Sequence, residues 1–277
     1  QWRNRTWNVT SAVPTGRSPP RNAGSVNSAD LLRLLLALAV LLAVAMAVLR
    51  AAGVRTGAAP VVAVLRGGLQ LTAIGLVLTG VLQQAPALSA AVLLVMLTTA
   101  VWTASRRLVD LASRRATVTA IALASSTAAA TVLLVVFALG VLPFEARYIV
   151  ALGGIVLGGT MTSATLAGRH LLAGLRARRD EVEGWLALGA PPRRAVRDIA
   201  RAAVAESLVP VLDQTRTTGL VTLPGAFIGA LLGGASPVQA AQFQIVVLVG
   251  LIAAGSVVAV MVTWRLGAPT RLPTLDR

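Results

Sequence analysis

The sequence predicts an all-α, polytopic helical membrane protein of about seven transmembrane helices, and three observations carry that prediction. Hydrophobic residues fill 56% of the 277 positions and charged residues 13%, against about 45–50% and roughly a quarter in soluble domains. The charge is gathered into short stretches, which leaves several apolar runs of about 18 residues or more, each able to cross a hydrocarbon core of about 30 Å. The basic residues also cluster in alternate loops, as the positive-inside rule requires of cytoplasmic loops. A membrane barrel would need strands that alternate apolar and polar residues, and "LLRLLLALAVLLAVAMAVLR" alternates nothing.

Residues 1–28 are polar, contain Pro and Gly and lack periodicity, the pattern of a disordered tail. They do not read as a signal peptide, because the apolar run comes too late and no small-residue cleavage site follows it. "NRT" and "NVT" match the N-glycosylation pattern, which matters only in a glycosylating host. Residues 29–277 are expected to form one transmembrane domain. Its first span is about Leu31–Leu49, followed by a connection with Arg50, Gly53, Arg55, Gly57 and Pro60. The second is about Val61–Leu82, and "QQAP" is a tight uncharged turn before the third, about Ala87–Ala104. Arg106, Arg107, Arg114 and Arg115 with Asp110 make a basic loop. The fourth span is about Thr117–Leu142, "PFEAR" is a short turn, and the fifth is about Tyr148–Leu166. A charged arm over residues 169–201 precedes a sixth span, about Ala203–Leu223. Pro224 and Gly225 should interrupt that span, and "GAFIGALLGG" is too short to cross, so a short re-entrant or interfacial helix is expected. "SPVQ" at Ser236–Gln239 is a capping box with proline at the first helical position. The seventh helix should therefore start at Pro237 and run past Trp264.

Arginine counting orients these spans. With the N-terminus outside and the C-terminus inside, the cytoplasmic side holds 18 arginines. The outer side holds Arg3, Arg5, Arg17, Arg21, Arg33 and Arg147, and Arg216 lies within the membrane. The net charge of +15 is thus the charge of membrane loops, and a nucleic-acid partner is rejected in favour of the lipid bilayer. All 25 basic residues are arginine. A P-loop needs a lysine for the β- and γ-phosphates, so this chain cannot carry that motif. There is no cysteine, and His170 is the one histidine, expected to be solvated at the membrane edge. No soft-metal site, cysteine nucleophile or intramembrane catalytic pair suggests itself. No catalytic residue, resident cofactor or assignable metal ligand is expected in this chain.

The arm "RHLLAGLRARRDEVEGWLALGAPPRRAVRDIAR" holds eight of the 25 arginines and four of the ten acids. It reads as two helices joined at "LGAPP", with Gly189 as the stop and Pro191 and Pro192 opening the next. Trp185, Leu186 and Leu188 form an apolar patch among charges, suited to a groove on another protein; a solvated helix lying on headgroups is the alternative. In the sixth span Asp213 lies about ten residues, or about 15 Å, from the inner end, near the bilayer midplane. A charge there costs at least about 2.5–3.5 kcal/mol and should face a partner or a watery path. Glu206, Asp213 and Thr217 share one helix face, and Arg216 can pair with Asp213. These residues, with Pro224 and Gly225, are the candidate translocation pathway; a purely structural pair is the alternative. Gln70, Thr98, Thr99, Thr160, Thr162 and Ser163 could face the same cavity. Gly225, Gly229 and Gly233, like Gly154 and Gly158, are spaced for close helix contact.

From about Arg66 to Trp264 the chain resembles the permease subunit of the FetB-type family, ABC transporters associated with iron export. The matching stretches are "RGGLQLTAIGLVL", "AVWTASRR", "LALGAPPRRA" and, the longest and most specific, "DQTRTTGLVTLPGAFIGALLGGASPVQAAQFQI". The chain departs from the family's pattern at Gly159, in "GGIVLGGTM", where members usually carry asparagine. The resemblance implies a homodimer bound to two cytosolic ATPase subunits in a bacterial inner (plasma) membrane, with ATP and Mg held by those partners. Glu183, Trp185, Leu188, Gly189, Ala190 and Pro191 would then form the ATPase-coupling helix, Arg193–Arg201 a lever, and the export of a metal ion such as iron, or of a metal-linked solute, the function. The alternative class is an ion-coupled secondary transporter or channel using Glu206 and Asp213.

Overall fold

The computed structural model describes residues 28–81, 86–108 and 111–268. The polar tail up to residue 27, most of "QQAP", Asp110 and the C-terminal tail from residue 269 lie outside the described residues. Those described form ten α-helices and no strand. They are α1 (Ser28–Ala51), α2 (Ala59–Val81), α3 (Pro86–Arg106), α4 (Arg114–Ala138), α5 (Ala146–Ala177), α6 (Arg179–Ala187), α7 (Pro192–Ala195), α8 (Arg197–Thr217), α9 (Gly225–Leu232) and α10 (Pro237–Leu266). By contacts the chain divides into two units, Gln1–Leu76 and Val77–Arg277.

In the first unit, α1 and the described part of α2 bury none of their spanning residues. Helices that are apolar all round and uncovered by protein are suited to lipid.

The second unit has a helical core. α10 packs against α4, α5, α8 and α9, and α5 packs also against α3, α4 and α8. Small residues set the spacing: Ala120, Ala124 and Ala128, one turn apart on α4, are all buried. Gly153 receives the side chain of Leu93 from α3, Gly168 that of Leu108, and Gly250 that of Val132 from α4. Where lipid tails are as apolar as leucine, this close approach is what holds helices together. Tyr148 and Phe243 meet at a ring-centroid distance of 6.2 Å, tying the start of α5 to α10.

Six helices (α1, α2, α3, α4, α5 and α10) are long and apolar enough to cross a membrane. α8, the expected sixth span, is helical and 21 residues long, about 31 Å at 1.5 Å per residue. Arg197, Asp198, Arg201, Glu206, Asp213 and Arg216 make it too charged to belong to that set.

Several boundaries differ from the sequence reading, each for a local reason. α4 stops at Ala138 rather than at Leu142, because Gly140 takes φ 65° and the N–H of Val141 reaches back to the Val136 carbonyl. α5 continues past Leu166 to Ala177, so the first nine residues of the arm extend a membrane helix. Leu171 and Leu175 are buried there, and Gly174 lies under Ile199 of α8. Pro224 and Gly225 do not interrupt the sixth helix. α8 has already ended at Thr217, in a turn where the Gly219 N–H donates to the Thr222 carbonyl at 2.8 Å. Pro224 and Gly225 instead open α9, the short helix expected there. The capping box is formed: the Ser236 hydroxyl accepts from Gln239 N–H at 3.3 Å, and the Gln239 side chain accepts from Ser236 N–H at 3.0 Å.

Candidate functional site

Two parts of the second unit carry most of the candidate residues: the arm α6–α7, and α8 from Glu206 onward. The arm is built from one buried anchor and one uncovered edge. Val182 is 1% exposed and Ala195 is buried, so α6 is pinned toward α5 and α7. Trp185, Leu186 and Leu188, at the other end of the helix, are exposed, Leu188 to 83%. Charged pairs stiffen the first turn of α6. Arg178 donates through Nε and Nη2 to both oxygens of Glu181, at 2.7 and 2.6 Å, and Arg179 donates to Glu183 at 2.7 Å. The bond from Arg178 holds the Glu181 carboxyl below the usual range, and the same bond raises Arg178.

The stop at Gly189 is as the sequence predicts. Gly189 sits at φ 84°, its N–H donates to the Leu186 carbonyl at 2.9 Å, and Ala190 N–H donates to Trp185 at 3.0 Å. That double bond is the glycine helix stop, and it turns Leu188 outward. Pro191 caps α7 and Pro192 is its first residue. Glu183, Trp185, Leu188, Gly189, Ala190 and Pro191 therefore form one exposed corner of the chain.

On α8 one face is packed and the other is not, and the last buried residue is Ser207. Ile199, Ala203 and Ser207 are buried against α5 and α10, whereas Glu206 and Asp213 are exposed. Arg216 Nη1 approaches Asp213 Oδ1 at 3.4 Å, with both side chains more than half exposed. Thr217 is half-buried and donates its hydroxyl to the Asp213 carbonyl at 2.8 Å. Glu206 and Asp213 are seven residues apart, a rise of about 10.5 Å. Carboxylate–cation bonds are about 2.0–2.6 Å, so the two acids of one helix are separate stations and cannot clasp one ion. Pro224 and Gly225 belong to another element, the start of α9.

Sequence reading passed over Pro210. It lies inside α8, one turn after Glu206, and has no N–H to give the Glu206 carbonyl. The helix is weakened there, between the two carboxylates, and a backbone oxygen is released beside the Glu206 side chain. The signal was present as a proline four residues after an acid in a polar span.

The other cavity candidates are not brought together. Thr160 and Ser163 are buried on α5, and Thr98, Thr99 and Thr162 are exposed. Gln70 is exposed in the first unit. Thr160 donates to its own helix at the Leu157 carbonyl, 2.8 Å away. His170 is exposed, as expected. Of the spaced glycines, only Gly154 makes an interhelical contact, with Met96 of α3; Gly158, Gly225 and Gly229 face open space. Gly159 does lie in a contact, because a Cβ there would overlap Leu251 of α10. Among the described residues no cluster of three or more His, Asp or Glu could hold a metal ion.

With this geometry in hand, comparisons with known proteins give consistent results. The family described as "Uncharacterised protein family (UPF0014)" matches residues 32–269. The UPF0014 membrane protein STAR2 of Oryza sativa subsp. japonica is 37% identical over 203 residues, 73% of this chain and 70% of that protein. Protein ALUMINUM SENSITIVE 3 of Arabidopsis thaliana is 40% identical over 126 residues, 46% of each chain. The probable iron export permease protein FetB of Escherichia coli (strain K12) is 29% identical over 129 residues, 46% of this chain and 50% of that protein. The match to the last two thus spans only about half of their length. No solved structure matches.

Proposed function

The chain belongs to the UPF0014 family of membrane proteins, and on that premise we propose that it is the permease subunit of an ABC transporter of the FetB type. In this reading it exports a metal ion such as iron, or a metal-linked solute, and a separate cytosolic ATPase subunit binds ATP and Mg and supplies the energy. The chain itself performs no catalysis. The observation that carries the reading is the arm: an apolar edge of Trp185, Leu186 and Leu188 exposed to water and held in place by buried Val182. Apolar side chains presented on a rigid turn suit insertion into a groove of a partner. Two copies of the chain would each present one such corner, in a plasma membrane, with the arm on the cytoplasmic side.

The transport step follows from α8. The arm leads through α7 directly into α8, so a push on α6 reaches the helix that bears Glu206 and Asp213. Pro210 gives that helix a place to bend. A cation would be passed from the Glu206 oxygens to Asp213, about two turns further on. In a homodimer the exposed faces of two α8 helices would supply four carboxylates to one passage. Hard oxygen donors suit Fe or Mn ions better than Cu(I).

The test is co-purification. A tagged chain should bring an ATPase subunit with it, and removing Glu183–Pro192 should abolish that without removing the chain from the membrane. An intact complex after the deletion defeats the docking reading. An ion-coupled secondary transporter, which the uncovered carboxylates of α8 would also serve, predicts instead that the chain alone transports in vesicles under an ion gradient and is indifferent to ATP.

A further inference from the structure

A cleft of about 340 Å³ opens on the second unit between the start of α8 and the end of α10. One end of it is basic. Arg193, Arg197 and Arg201 line it at four-residue intervals, which stacks them on one side of the α7–α8 run over about 12 Å. Among the described residues, neither Arg193 nor Arg197 pairs with a carboxylate; Arg201 approaches Asp198 at 3.6 Å in an exposed pair. No acidic residue lines the cleft. Arg193 lies over the Trp264 ring, 4.2 Å from its centroid. The rest of the wall is mostly apolar, formed by Val196, Ala200, Val204 and Val260, with Thr263 and Gly267 near the end of α10.

α10 is long and apolar enough to cross a membrane and ends at Leu266, which puts Trp264 where interfacial tryptophans sit. Trp102, near the end of α3, has the same setting, with Arg106 and Arg114 each 5.4 Å from its ring. The Arg193–Trp264 end of the cleft therefore lies at the membrane surface, and Val204 and Val260 lie deeper along the same two helices. A polar anion at the surface joined to an apolar chain below it is the shape of a phospholipid. A soluble protein partner would have no access to the deeper half.

We propose that this cleft is a binding site for an anionic phospholipid. The phosphate headgroup contacts Arg193 and Arg197, Trp264 packs beside its glycerol region, and an acyl chain lies along Ala200, Val204 and Val260. The site is independent of the cargo and of the Trp185–Leu188 edge. It places a lipid against the helix that joins the arm to the carboxylates.

The test uses the full chain purified in detergent, with bound lipids read by native mass spectrometry. Phosphatidylglycerol and phosphatidylcholine of matched acyl chains are offered in turn. The expected result is one phosphatidylglycerol retained per chain under activation that strips phosphatidylcholine. An arginine near an anionic surface contributes about a factor of five, so the Arg193→Gln/Arg197→Gln variant should bind about thirtyfold more weakly. Arg194→Gln, a neighbour that does not line the cleft, should bind as the parent does. Ala200→Phe should also lose the lipid with every arginine intact, which keeps the test decisive if the double variant fails to fold. Equal retention of the two lipids by the parent chain overturns the proposal, as does unchanged binding in the double variant or in Ala200→Phe. Inorganic phosphate protecting the chain from heat as well as the lipid does would identify a free-anion site and overturn the lipid.

Discussion

Asp213 and Arg216 meet at 3.4 Å on a face that this chain leaves uncovered, and exposure decides what the contact can do. Exposed pairs contribute about 0.2–1 kcal/mol, so the pair is a poor reason for keeping two ionisable residues in α8. Asp213→Asn should leave the melting temperature within about 4 °C of the parent while lowering metal export at least tenfold, read as metal accumulated by cells that express the variant. An unchanged export rate would return the pair to a purely structural role. Gly159 makes the opposite case. A Cβ there would overlap the Cδ2 methyl of half-buried Leu251, which can turn aside, so Gly159→Asn should cost about 1 kcal/mol, the low end for overpacking, seen as a slightly lower melting temperature in detergent. Leu251→Ala added to Gly159→Asn should recover part of that loss, because the two positions are in contact. Glu181 gives a pH dependence whose sign is fixed by its partner. Arg178 lowers its carboxyl in the folded chain, so the stabilisation is complete above the ordinary glutamate value of about 4.3 and is lost as pH falls through the lower folded value. Hydrogen exchange in α6 should be flat across neutral pH, after correction for intrinsic rates, and should accelerate only under strong acid. In Glu181→Gln that acid step should vanish.

At the scale of elements the arm joins an anchor, buried Val182 in the first half of α6, to an uncovered edge at that helix's end. On the proposed docking role, Leu188→Asp should cut recovery of an ATPase partner by at least tenfold and leave the chain folded, since Leu188 is 83% exposed. Gly189→Val should give a similar loss for another reason. A side chain at φ 84° costs about 1–2 kcal/mol or more, and relaxing that strain re-aims Leu188. These local devices were legible in the sequence. The glycine stop, the proline start of α7, the capping box at Ser236 and the short α9 each depend on a few adjacent residues with fixed conformational needs. The ends of α5 and α8 were not legible. Hydropathy stops at Leu166, but backbone hydrogen bonding does not, and α5 continues on residues that favour helix and pack on α8. For α8 the proline at 224 looked like the break, whereas Gly219 and the turn before it had already ended the helix. Four-residue glycine spacing failed for a related reason: it states that close contact is permitted, and Gly158 and Gly229 have no neighbour there. The uncovered face around Glu206 was also invisible in periodicity, which placed the acids on one side without saying that the bundle packs against the other.

For the whole molecule, the side of the membrane on which the arm lies decides whether the α6 edge can meet an ATPase at all. The orientation expected from the sequence assigns 18 arginines to the cytoplasmic side and six to the other, as short basic loops are retained in the cytoplasm. The opposite surface carries the turn after α8 and the end of α9, where Leu220 is 93% exposed and Leu232 is 85% exposed. The native chain contains no cysteine, so one introduced thiol reports its own position without background. A membrane-impermeant maleimide should label Leu232→Cys in intact cells and should reach Leu188→Cys only after the membrane is opened. The reverse pattern would put the arm outside, away from every cytosolic ATPase, and would end the coupling reading even if the family and the helices stood. Glu206→Cys extends the same experiment to assembly. If two α8 faces line one passage, mild oxidation should join two chains through that position, while the buried Ser207→Cys, one residue along, should not cross-link. Failure of Glu206→Cys to cross-link, in a chain that still reaches the membrane and melts as the parent does, would place the carboxylates against lipid or another subunit and not against a second copy.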